Sequence, residues 1–465
     1  MINLDGKAMT TETVERVAAG ERVQLDPAAN ERVAAAWRTI TAITAERPVY
    51  GRTTGVGANR EVVISPDEQP AHGRRLIDSH ATALGPLLPP SLVRAMIGVR
   101  VNQLAAGGSG ISPDIVTALV RVLASDTVPA VRDGGSIGTG DLPALGQIAR
   151  TLDVELAGGD ALALMSSNAL TLARAALGSA SLQRLAQAGL AVAALTVRAA
   201  DGNVEAFSET VHAARPHEGQ QAAAAAIRLL LEGAGSWKAA RVQDSYGLRA
   251  AAQVAGPLLD AATRLERTLS IELNAVAENP MVDVSGRRVL HNANFHLAAL
   301  ALDLDAARVA LYQAAALSVA RLAELMDPGT TGLSPFLAGE PAGSSGALGL
   351  EYVAHAALAR LAQAARATTL ATATLSRGVE GHAPFAPQGA RQLELAIEAG
   401  RDVLACELVA ALRALRQKSA ELGGPLGHAV TKANAVIDAD MSDRDLSPDL
   451  DAAVDLLDDL AALIP

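Results

Sequence analysis

The chain has 465 residues, of which 50% are hydrophobic and 2% aromatic, and its many alanines favour closely packed helices over sheets. Its formal net charge of −11 argues against a general nucleic-acid or anionic-membrane surface. The single cysteine, Cys406, excludes an intrachain disulfide framework and a cysteine-based zinc site, and its leucine neighbours predict a place in the core.

Hydrophobic periodicity predicts a mainly helical chain. In the first part it indicates helices near 27–46, 68–84, 91–106 and 112–125. A loop over 126–141 follows and leads into a helix beginning DLPALGQIA, with Asp141 as its expected N-cap. Beyond about residue 160 the pattern is almost wholly helical, with long helices predicted at 241–276, 296–326 and 389–416.

The long alanine-rich helices predict a central bundle packed against sister chains, because a monomer could hardly bury every such face. We therefore divide the chain into a smaller mixed N-terminal region (1–200), a helical bundle forming the oligomer core (201–425) and an acidic C-terminal tail (426–465). The N-terminus has no apolar signal segment, and no charge-free apolar run reaches the roughly 18 residues of a membrane span. We expect a cytoplasmic protein that does not bind membranes.

The most unusual segment is the glycine-rich loop DGGSIGTGDLPALG at 133–146. It is not a phosphate-binding P-loop, because no Gly-Lys-Ser/Thr follows. A second glycine loop, at 51–58, lacks the strand-then-helix context of a dinucleotide fingerprint. The histidine pairs 212/217 and 291/296 are five residues apart, which is not the spacing of a helical zinc pair. No metal site is predicted.

Polar residues gather in a few short clusters within this apolar chain. Each cluster also has a purely structural interpretation: Tyr50 as a packing anchor, the serines of LMSSNAL bonding back to carbonyls, Arg249 capping a helix or pairing with Asp244, and Glu380 as a solvated loop carboxylate. In RVQDSYGLR, the spacing of Gln243, Tyr246 and Arg249 predicts roughly one helix face. Taken singly, none of the clusters carries a functional claim.

Read in order, the clusters resemble the histidine/aromatic amino-acid ammonia-lyases, whose members usually carry an internally formed methylidene-imidazolone (MIO) electrophile. The resemblance extends to about residue 415 and rests on the segments VYGRTTGVG, LIDSHATALG, RPHEGQ, RVQDSYGLR, IELNAVAENPMV, ANFH, SPFLAG and GVEGH. It implies the mainly helical fold of the histidine ammonia-lyase/fumarase-like superfamily and a homotetramer with shared active sites. It also implies a carbon–nitrogen lyase that removes a β-proton and an α-amine from a small amino-acid substrate.

The resemblance also implies roles for single residues. Tyr50 is the base for the β-proton, and Glu380 lies near the amine. Arg249 grips the substrate carboxylate, for which its planar guanidinium is suited. The other substrate-binding positions are Ser79 and His80, which favour an imidazole-like ring, Gln243, Tyr246 and Asn294 around the amine and carboxylate, and Phe295 on the electrophile or ring. Ser166 and Asn168 complete the expected substrate-binding set.

The sequence departs from the family where the prosthetic group forms. Against Gly-Ser-Val-Gly-Ala-Ser-Gly-Asp-Leu, the loop is one residue short, and Gly138-Thr139-Gly140 stands at the cyclising position. Dehydration of threonine would give a more hindered ethylidene. The family asparagine that helps hold the group is replaced by Ser166, with Asn168 two residues further on. These departures predict an enzyme without MIO or any other cofactor.

Without an electrophile, the substrate must supply its own activation. A trimethylammonium betaine has no N–H proton to lose and departs as a neutral amine, which is the logic of the ergothionase type of relative. We therefore expect β-elimination of an amine from an aromatic or imidazole amino-acid derivative. The alternatives are an ordinary ammonia-lyase with a threonine-derived prosthetic group, a relative recruited for addition, cyclisation or isomerisation, and a non-catalytic binding homologue.

Overall fold

A computed structural model describes residues 1–464, and it is mainly helical, which confirms the predicted fold class. In chain order the α-helices are α1 (Thr11–Ala18), α2 (Pro27–Thr44), α3 (Gln69–His80), α4 (Pro90–Ala105), α5 (Pro113–Ala124), α6 (Leu142–Thr151), α7 (Asp160–Met165), α8 (Ala169–Ala199), α9 (Glu209–Ala213), α10 (Glu218–Leu231), α11 (Tyr246–Arg249), α12 (Ala251–Glu272), α13 (Ala298–Met326), α14 (Pro328–Thr331), α15 (Gly349–Ala364), α16 (Ala386–Gln417), α17 (Gly424–Val436) and α18 (Ser447–Ala461).

Two short strand pairs accompany the helices. Strand β1 (Ile2–Leu4) runs parallel to β2 (Val23–Leu25), with Ile2 opposite Val23. Strand β3 (Met281–Asp283) forms an antiparallel hairpin with β4 (Arg288–Leu290), with Val282 opposite Val289.

Local signals in the sequence set several helix starts. Asp26 caps α2 by accepting hydrogen bonds from the amides of Ala28 (2.9 Å) and Ala29 (3.2 Å), and a proline occupies the first helical position. Ser112 and Pro113 start α5 in the same way. These helices lie within a few residues of their predicted ranges, because the capping residues and the hydrophobic periodicity indicate the same helix boundaries.

The predicted helix over 241–276 begins later than expected. Residues 241–245 are not helical, and α12 starts at Ala251 after the single turn of α11. The Asp244 carboxylate accepts hydrogen bonds from the Asn203 amide (2.6 Å) and from Arg241 Nε (2.9 Å), which holds the segment in a loop. Side-chain bonds of this kind compete with the helical pattern that hydrophobic spacing suggests.

The chain divides into two compact units. The first unit comprises Met1–Ser179, Leu265–Leu304 and Ala367–Arg391. One of its apolar clusters joins α2 to the β3–β4 hairpin through Ile40, Val49, Val282 and Val289. A buried ion pair between Arg100 and Glu278, with Nη1 and Oε1 2.8 Å apart, lies in the same unit. The boundaries predicted near residues 200 and 425 stay predictions.

The second unit comprises Ala180–Arg264, Asp305–Arg366 and the chain from Gln392 onward. Cys406 is fully buried there, as predicted, and burial raises the pKa of its thiol to about 12. Helix α13 is long and apolar enough to cross a membrane by composition alone. It nevertheless carries Asp305 and Arg308, which are buried and paired with each other, as is typical of a core helix.

A buried polar cluster of the second unit surrounds Glu407, which is 0% exposed. Its carboxylate accepts hydrogen bonds from Arg321 Nε (2.6 Å) and Nη2 (2.8 Å). The hydroxyls of Thr196 (2.6 Å) and Ser318 (2.5 Å) complete the set. The buried guanidinium of Arg321 is therefore compensated by one carboxylate.

We expect Glu407→Ala to lower the free energy of unfolding by about 3–5 kcal/mol, because it leaves the Arg321 cation buried and unpaired. Urea unfolding at a fixed protein concentration measures the change. Glu421→Ala, at an exposed glutamate, is the matched control and should change stability by no more than about 0.5 kcal/mol. Equal effects of the two substitutions would contradict the structural role of this ion pair.

Candidate active site

The first unit contains a cleft of about 630 Å³, within the usual range for small-molecule sites. We call it the main cleft. Its lining includes the predicted residues Tyr50, Thr139, Gly140, Ser166, Phe295 and Glu380. A second cleft of about 500 Å³, which we call the α3 cleft, shares Tyr50 and Glu380 with it and is lined by Ser79 and His80. The tertiary structure thus brings together residues from distant parts of the sequence.

Tyr50 lies in the turn that follows α2, after the buried Val49. Its phenol oxygen accepts a hydrogen bond of 2.8 Å from the Gly57 amide. The next residue, Gly51, has φ +68°, and a Cβ there would lie 2.1 Å from Leu162 Cδ2, so this turn requires glycine. The phenol is therefore held in a defined position on the cleft wall.

His291 supports Tyr50 from the other side. The Tyr50 amide donates to His291 Nε2 at 3.3 Å. Burial, followed by the nearby charge of Arg47, lowers the pKa of His291, which agrees with a neutral ring whose Nε2 accepts this bond. His291 also lines the main cleft. Sequence reasoning considered it only as a metal ligand. The polar segment HNANFH was identified as a cluster, but His291 was assigned no role in it.

His80 stands at the C-terminal end of α3. Its Nδ1 lies 2.9 Å from the Leu76 carbonyl oxygen and 3.0 Å from Ser79 Oγ. Because a carbonyl only accepts, Nδ1 carries the proton, and Nε2 of the neutral ring is left as an acceptor. The Ser79 hydroxyl donates to the Leu76 carbonyl at 3.0 Å. His80 is thus oriented by its own helix.

Glu380 is fixed by a small bridge rather than by a helix. Leu375 N donates to the Glu380 carbonyl at 2.8 Å, and Glu380 N donates to the Leu375 carbonyl at 3.3 Å. Ser376 Oγ in the same turn accepts from the Ala58 amide at 3.2 Å, which ties the turn to the Tyr50 loop. Glu380 is half-buried and lines both clefts.

The glycine-rich loop enters the main cleft at Thr139. Gly138 has φ +95°, and a Cβ there would lie 2.7 Å from Pro384 Cγ. The Gly140 amide donates to Asn168 Oδ1 at 3.1 Å, and Asn168 Nδ2 donates to the Phe295 carbonyl at 2.6 Å. Asn168 is buried and clamps the loop to the segment that carries Phe295, whereas Ser166 lines the cleft.

Asp141 does not provide the predicted N-cap. It directly precedes α6, but its side chain makes no bond to that helix. The carboxylate instead accepts from Ser136 Oγ (2.5 Å), Thr171 N (2.7 Å) and Thr171 Oγ1 (3.0 Å). Complete burial raises the pKa of Asp141, and these hydrogen bonds oppose the rise. Asp141 ties the glycine-rich loop to α8.

The residues of this loop do not fit a methylidene group. Formation of MIO joins the nitrogen of the last residue of the triad to the carbonyl of the first and then dehydrates the central side chain. That nitrogen is Gly140 N, which here donates its hydrogen bond to Asn168. The central residue is Thr139, whose β-carbon already carries a methyl group. A methylidene therefore cannot arise from it.

A histidine pair forms part of the main cleft. His296 Nε2 and His382 Nδ1 are 3.0 Å apart, and the ring centroids are 5.0 Å apart. Such a bond requires one proton shared between the two nitrogens. Burial, then the neighbouring His382, lowers the pKa of His296. Both histidines belong to the segments ANFH and GVEGH, yet sequence reasoning assigned them no role.

Asn294 is exposed and lines neither the main cleft nor the α3 cleft. The main cleft is lined instead by Asn292, whose Nδ2 donates to the Glu278 carbonyl at 3.0 Å. The Asn292 Oδ1 accepts from the Asn294 amide at 2.8 Å.

Three predicted residues belong to the second unit. Gln243 and Arg249 line a pocket of about 290 Å³, and the Arg249 guanidinium lies 4.3 Å from the centre of the Tyr246 ring. Arg249 Nε is buried and without a hydrogen-bond partner among residues 1–464. The prediction that Gln243, Tyr246 and Arg249 share one helix face is wrong for Gln243, which lies in the loop before α11. Asp244 pairs with Arg241 and not with Arg249.

The chain is similar to known proteins over most of its length. Residues 9–155 and 152–438 match the family model for aromatic amino acid lyases. The histidine ammonia-lyase of Bradyrhizobium diazoefficiens is 33% identical, over 93% of this chain and 94% of the relative. The histidine ammonia-lyase of Streptomyces coelicolor is also 33% identical, over 94% and 92%.

Solved structures share the fold. Tyrosine aminomutase from Streptomyces globisporus superposes with a TM-score of 0.93 at 25% identity, covering 99% of this chain and 97% of the other. The ergothioneine-degrading ergothionase of Treponema denticola superposes with a TM-score of 0.92 at 24% identity, covering 100% and 99%. Fold and family match together define a carbon–nitrogen lyase. The chain belongs to the aromatic amino acid lyase family, which confirms the resemblance stated above.

Proposed function

We propose that the chain eliminates an amine from an aromatic or imidazole amino-acid derivative to give an α,β-unsaturated acid, and that it does so without MIO. The observation that carries the proposal is the composition of the main cleft. Tyr50 and Glu380 line it together with Thr139, the residue whose side chain excludes a methylidene. The acid–base residues of a lyase are thus combined with a loop unsuited to the usual electrophile.

Without an MIO electrophile, fewer classes of substrate can undergo the elimination. An ordinary α-ammonium group gives up an N–H proton far more readily than a C–H proton, so a base near it is consumed unproductively. A trimethylammonium group has no such proton and leaves as neutral trimethylamine. We propose a betaine of this kind, with an imidazole ring favoured by His80. The shared fold of the ergothioneine-degrading ergothionase supports this choice.

In the proposed step, the Tyr50 phenolate removes the β-proton and becomes a phenol. The electrons of the broken C–H bond form the Cα=Cβ double bond, and those of the C–N bond leave with the amine. The Gly57 amide, which donates to the phenol oxygen at 2.8 Å, stabilises the phenolate that starts the step. His80 Nε2 accepts a ring N–H and orients the substrate.

Glu380 and Arg249 bind the two charged groups of the substrate in this proposal. Glu380 lies in the wall shared by the two clefts, where its negative charge stabilises the cationic leaving group before departure. Arg249 binds the substrate carboxylate, with Gln243 and Tyr246 beside it. Its buried Nε without a hydrogen-bond partner supports this role. We further propose a cytoplasmic homotetramer in which Arg249 of one subunit serves Tyr50 of another.

One alternative keeps a prosthetic group derived from Thr139. Its product would be the same unsaturated acid, but free amino acids would then serve as substrates. The other alternative uses the same base and clamp for an addition, cyclisation or isomerisation, and the shared fold of tyrosine aminomutase is compatible with it. Assays of a free amino acid and its trimethylated betaine side by side separate these cases. Release of trimethylamine from the betaine alone is the expected result.

The intact mass of the protein tests the proposed absence of MIO. We expect the mass encoded by the sequence, because Gly138-Thr139-Gly140 stays uncyclised. Thr139→Ala is the matched control, since alanine has no hydroxyl to lose. A wild-type mass lower by two water molecules, with no such second loss in Thr139→Ala, would show a threonine-derived group and end this proposal.

A further inference from the structure

One face of α3 lines the α3 cleft. His72, Arg75, Leu76, Ser79 and His80 are separated by steps of three or four residues and their combinations, so they share a side of the helix. Arg74 is also exposed but does not line the cleft. His80 accounts for ring recognition, whereas His72 and Arg75 have no role in the proposed elimination.

Two side chains of this face, His72 and Arg75, have polar atoms without protein partners in the part of the chain that the structure describes. Arg75 is exposed and forms no hydrogen bond or ion pair with any residue in 1–464. His72 Nε2 is buried and has no hydrogen-bond partner in the same part of the chain. Unsatisfied buried polar atoms are rare in proteins and call for an explanation. Among residues 1–464, Glu380 is the carboxylate that lines this cleft, and Arg75 is the cation that lines its α3 side.

The distance along α3 between Arg75 and His80 suits a small ring that carries a substituent. Because Nδ1 of His80 is bonded to the Leu76 carbonyl, its Nε2 is the atom that accepts a substrate ring N–H. Arg75 lies five residues earlier, about 7–8 Å along the helix axis. A long arginine side chain and a substituent on the ring together have the reach to span this separation. Burial, then the charge of Arg75, lowers the pKa of His72, which favours a neutral ring at neutral pH.

We propose that the α3 cleft binds an anionic substituent on the ring of the substrate, with Arg75 and His72 as its specificity-determining residues. The ligand class is an imidazole amino-acid derivative whose ring carries a carboxylate, a sulfonate or a thiolate. The guanidinium of Arg75 offers paired donors to such a group, and His72 supplies one further ring nitrogen. The proposal rests on the proposed function only for the imidazole ring.

Equilibrium binding to the full-length protein tests the subsite, because binding requires no turnover. The probes are imidazolepropanoate and its derivatives with a carboxylate, sulfonate or thiolate on the ring carbon between the nitrogens, measured by titration calorimetry. We expect at least one charged derivative to bind about tenfold more tightly than the uncharged ring, as one charge-assisted hydrogen bond provides. The three derivatives distinguish the kinds of anion.

Two adjacent arginines supply the matched variants. Arg75→Gln should remove the preference for the charged derivative and leave the affinity for imidazolepropanoate unchanged, whereas Arg74→Gln should change neither. His72→Gln should reduce the same preference. Equal binding of charged and uncharged probes, or equal effects of Arg74→Gln and Arg75→Gln, would refute the subsite. Failure of every probe to bind would refute the imidazole substrate as well, whereas selective binding of the charged probes by a protein that releases no amine from the corresponding betaine would refute only the proposed reaction.

Discussion

Tyr50→Phe is expected to lower kcat by about 10²–10⁴-fold, because it removes the oxygen that accepts the β-proton while keeping the ring. The fold should persist, since the backbone bond from Tyr50 N to His291 does not involve the hydroxyl. Steady-state assays of the unsaturated acid product measure the loss, and circular dichroism checks the fold.

Tyr352→Phe is the matched control for this substitution. Tyr352 lies on α15 with 73% of its surface exposed, so loss of its hydroxyl should leave kcat and stability unchanged. Full activity of Tyr50→Phe would remove this residue from the mechanism. The His296–His382 pair would then be the next proton acceptor to test, because it lines the same cleft.

Arg249→Ala is expected to raise KM by roughly 10- to 100-fold for substrates with a carboxylate, corresponding to the loss of about 1.5–3 kcal/mol from charge-assisted hydrogen bonds. The effect on kcat should be smaller, because the carboxylate is bound in both the ground state and the transition state. Arg215→Ala, at an exposed arginine of the same unit, should leave KM unchanged. An unaltered KM in Arg249→Ala would contradict the clamp.

Mixing the two inactive variants tests whether subunits share sites. If Tyr50 and Arg249 of one site come from different chains, unfolding and refolding Tyr50→Phe together with Arg249→Ala creates some sites in which both residues are intact. We expect partial recovery of kcat/KM in the mixture and none when either variant is refolded alone. No recovery in mixed oligomers would show that each chain supplies its own Arg249.

The helical architecture was predictable because it is a local property. Caps such as Asp26 before Pro27 and the periodicity of α5 and α16 depend on residues a few positions apart. The prediction was wrong where a side chain bonded outside its own segment. Asp244 is held by Asn203 and Arg241, which keeps Gln243 in a loop, and Asp141 turns to Ser136 and Thr171 instead of capping α6.

The candidate site was predictable in part. The segments around Tyr50, His80, Phe295 and Glu380 were identified as motifs, and the structure places all four side chains in the walls of the two clefts. The contribution of Asn168 was harder to foresee, because its bonds join Gly140 to Phe295, which lie far apart in the sequence. The histidine pair was missed for the same reason, since 86 positions separate its members.

Residue chemistry alone established the helical class, the family and the unsuitability of Thr139 for a methylidene, because these depend on local patterns and on one side chain. The assembly of the clefts required the folded chain, since Tyr50, Thr139 and Glu380 meet only through tertiary packing. The lack of a hydrogen-bond partner for His72 Nε2 on the face of α3 that lines the α3 cleft also required the folded chain. Whether a polar atom has a partner depends on which other residues pack against it.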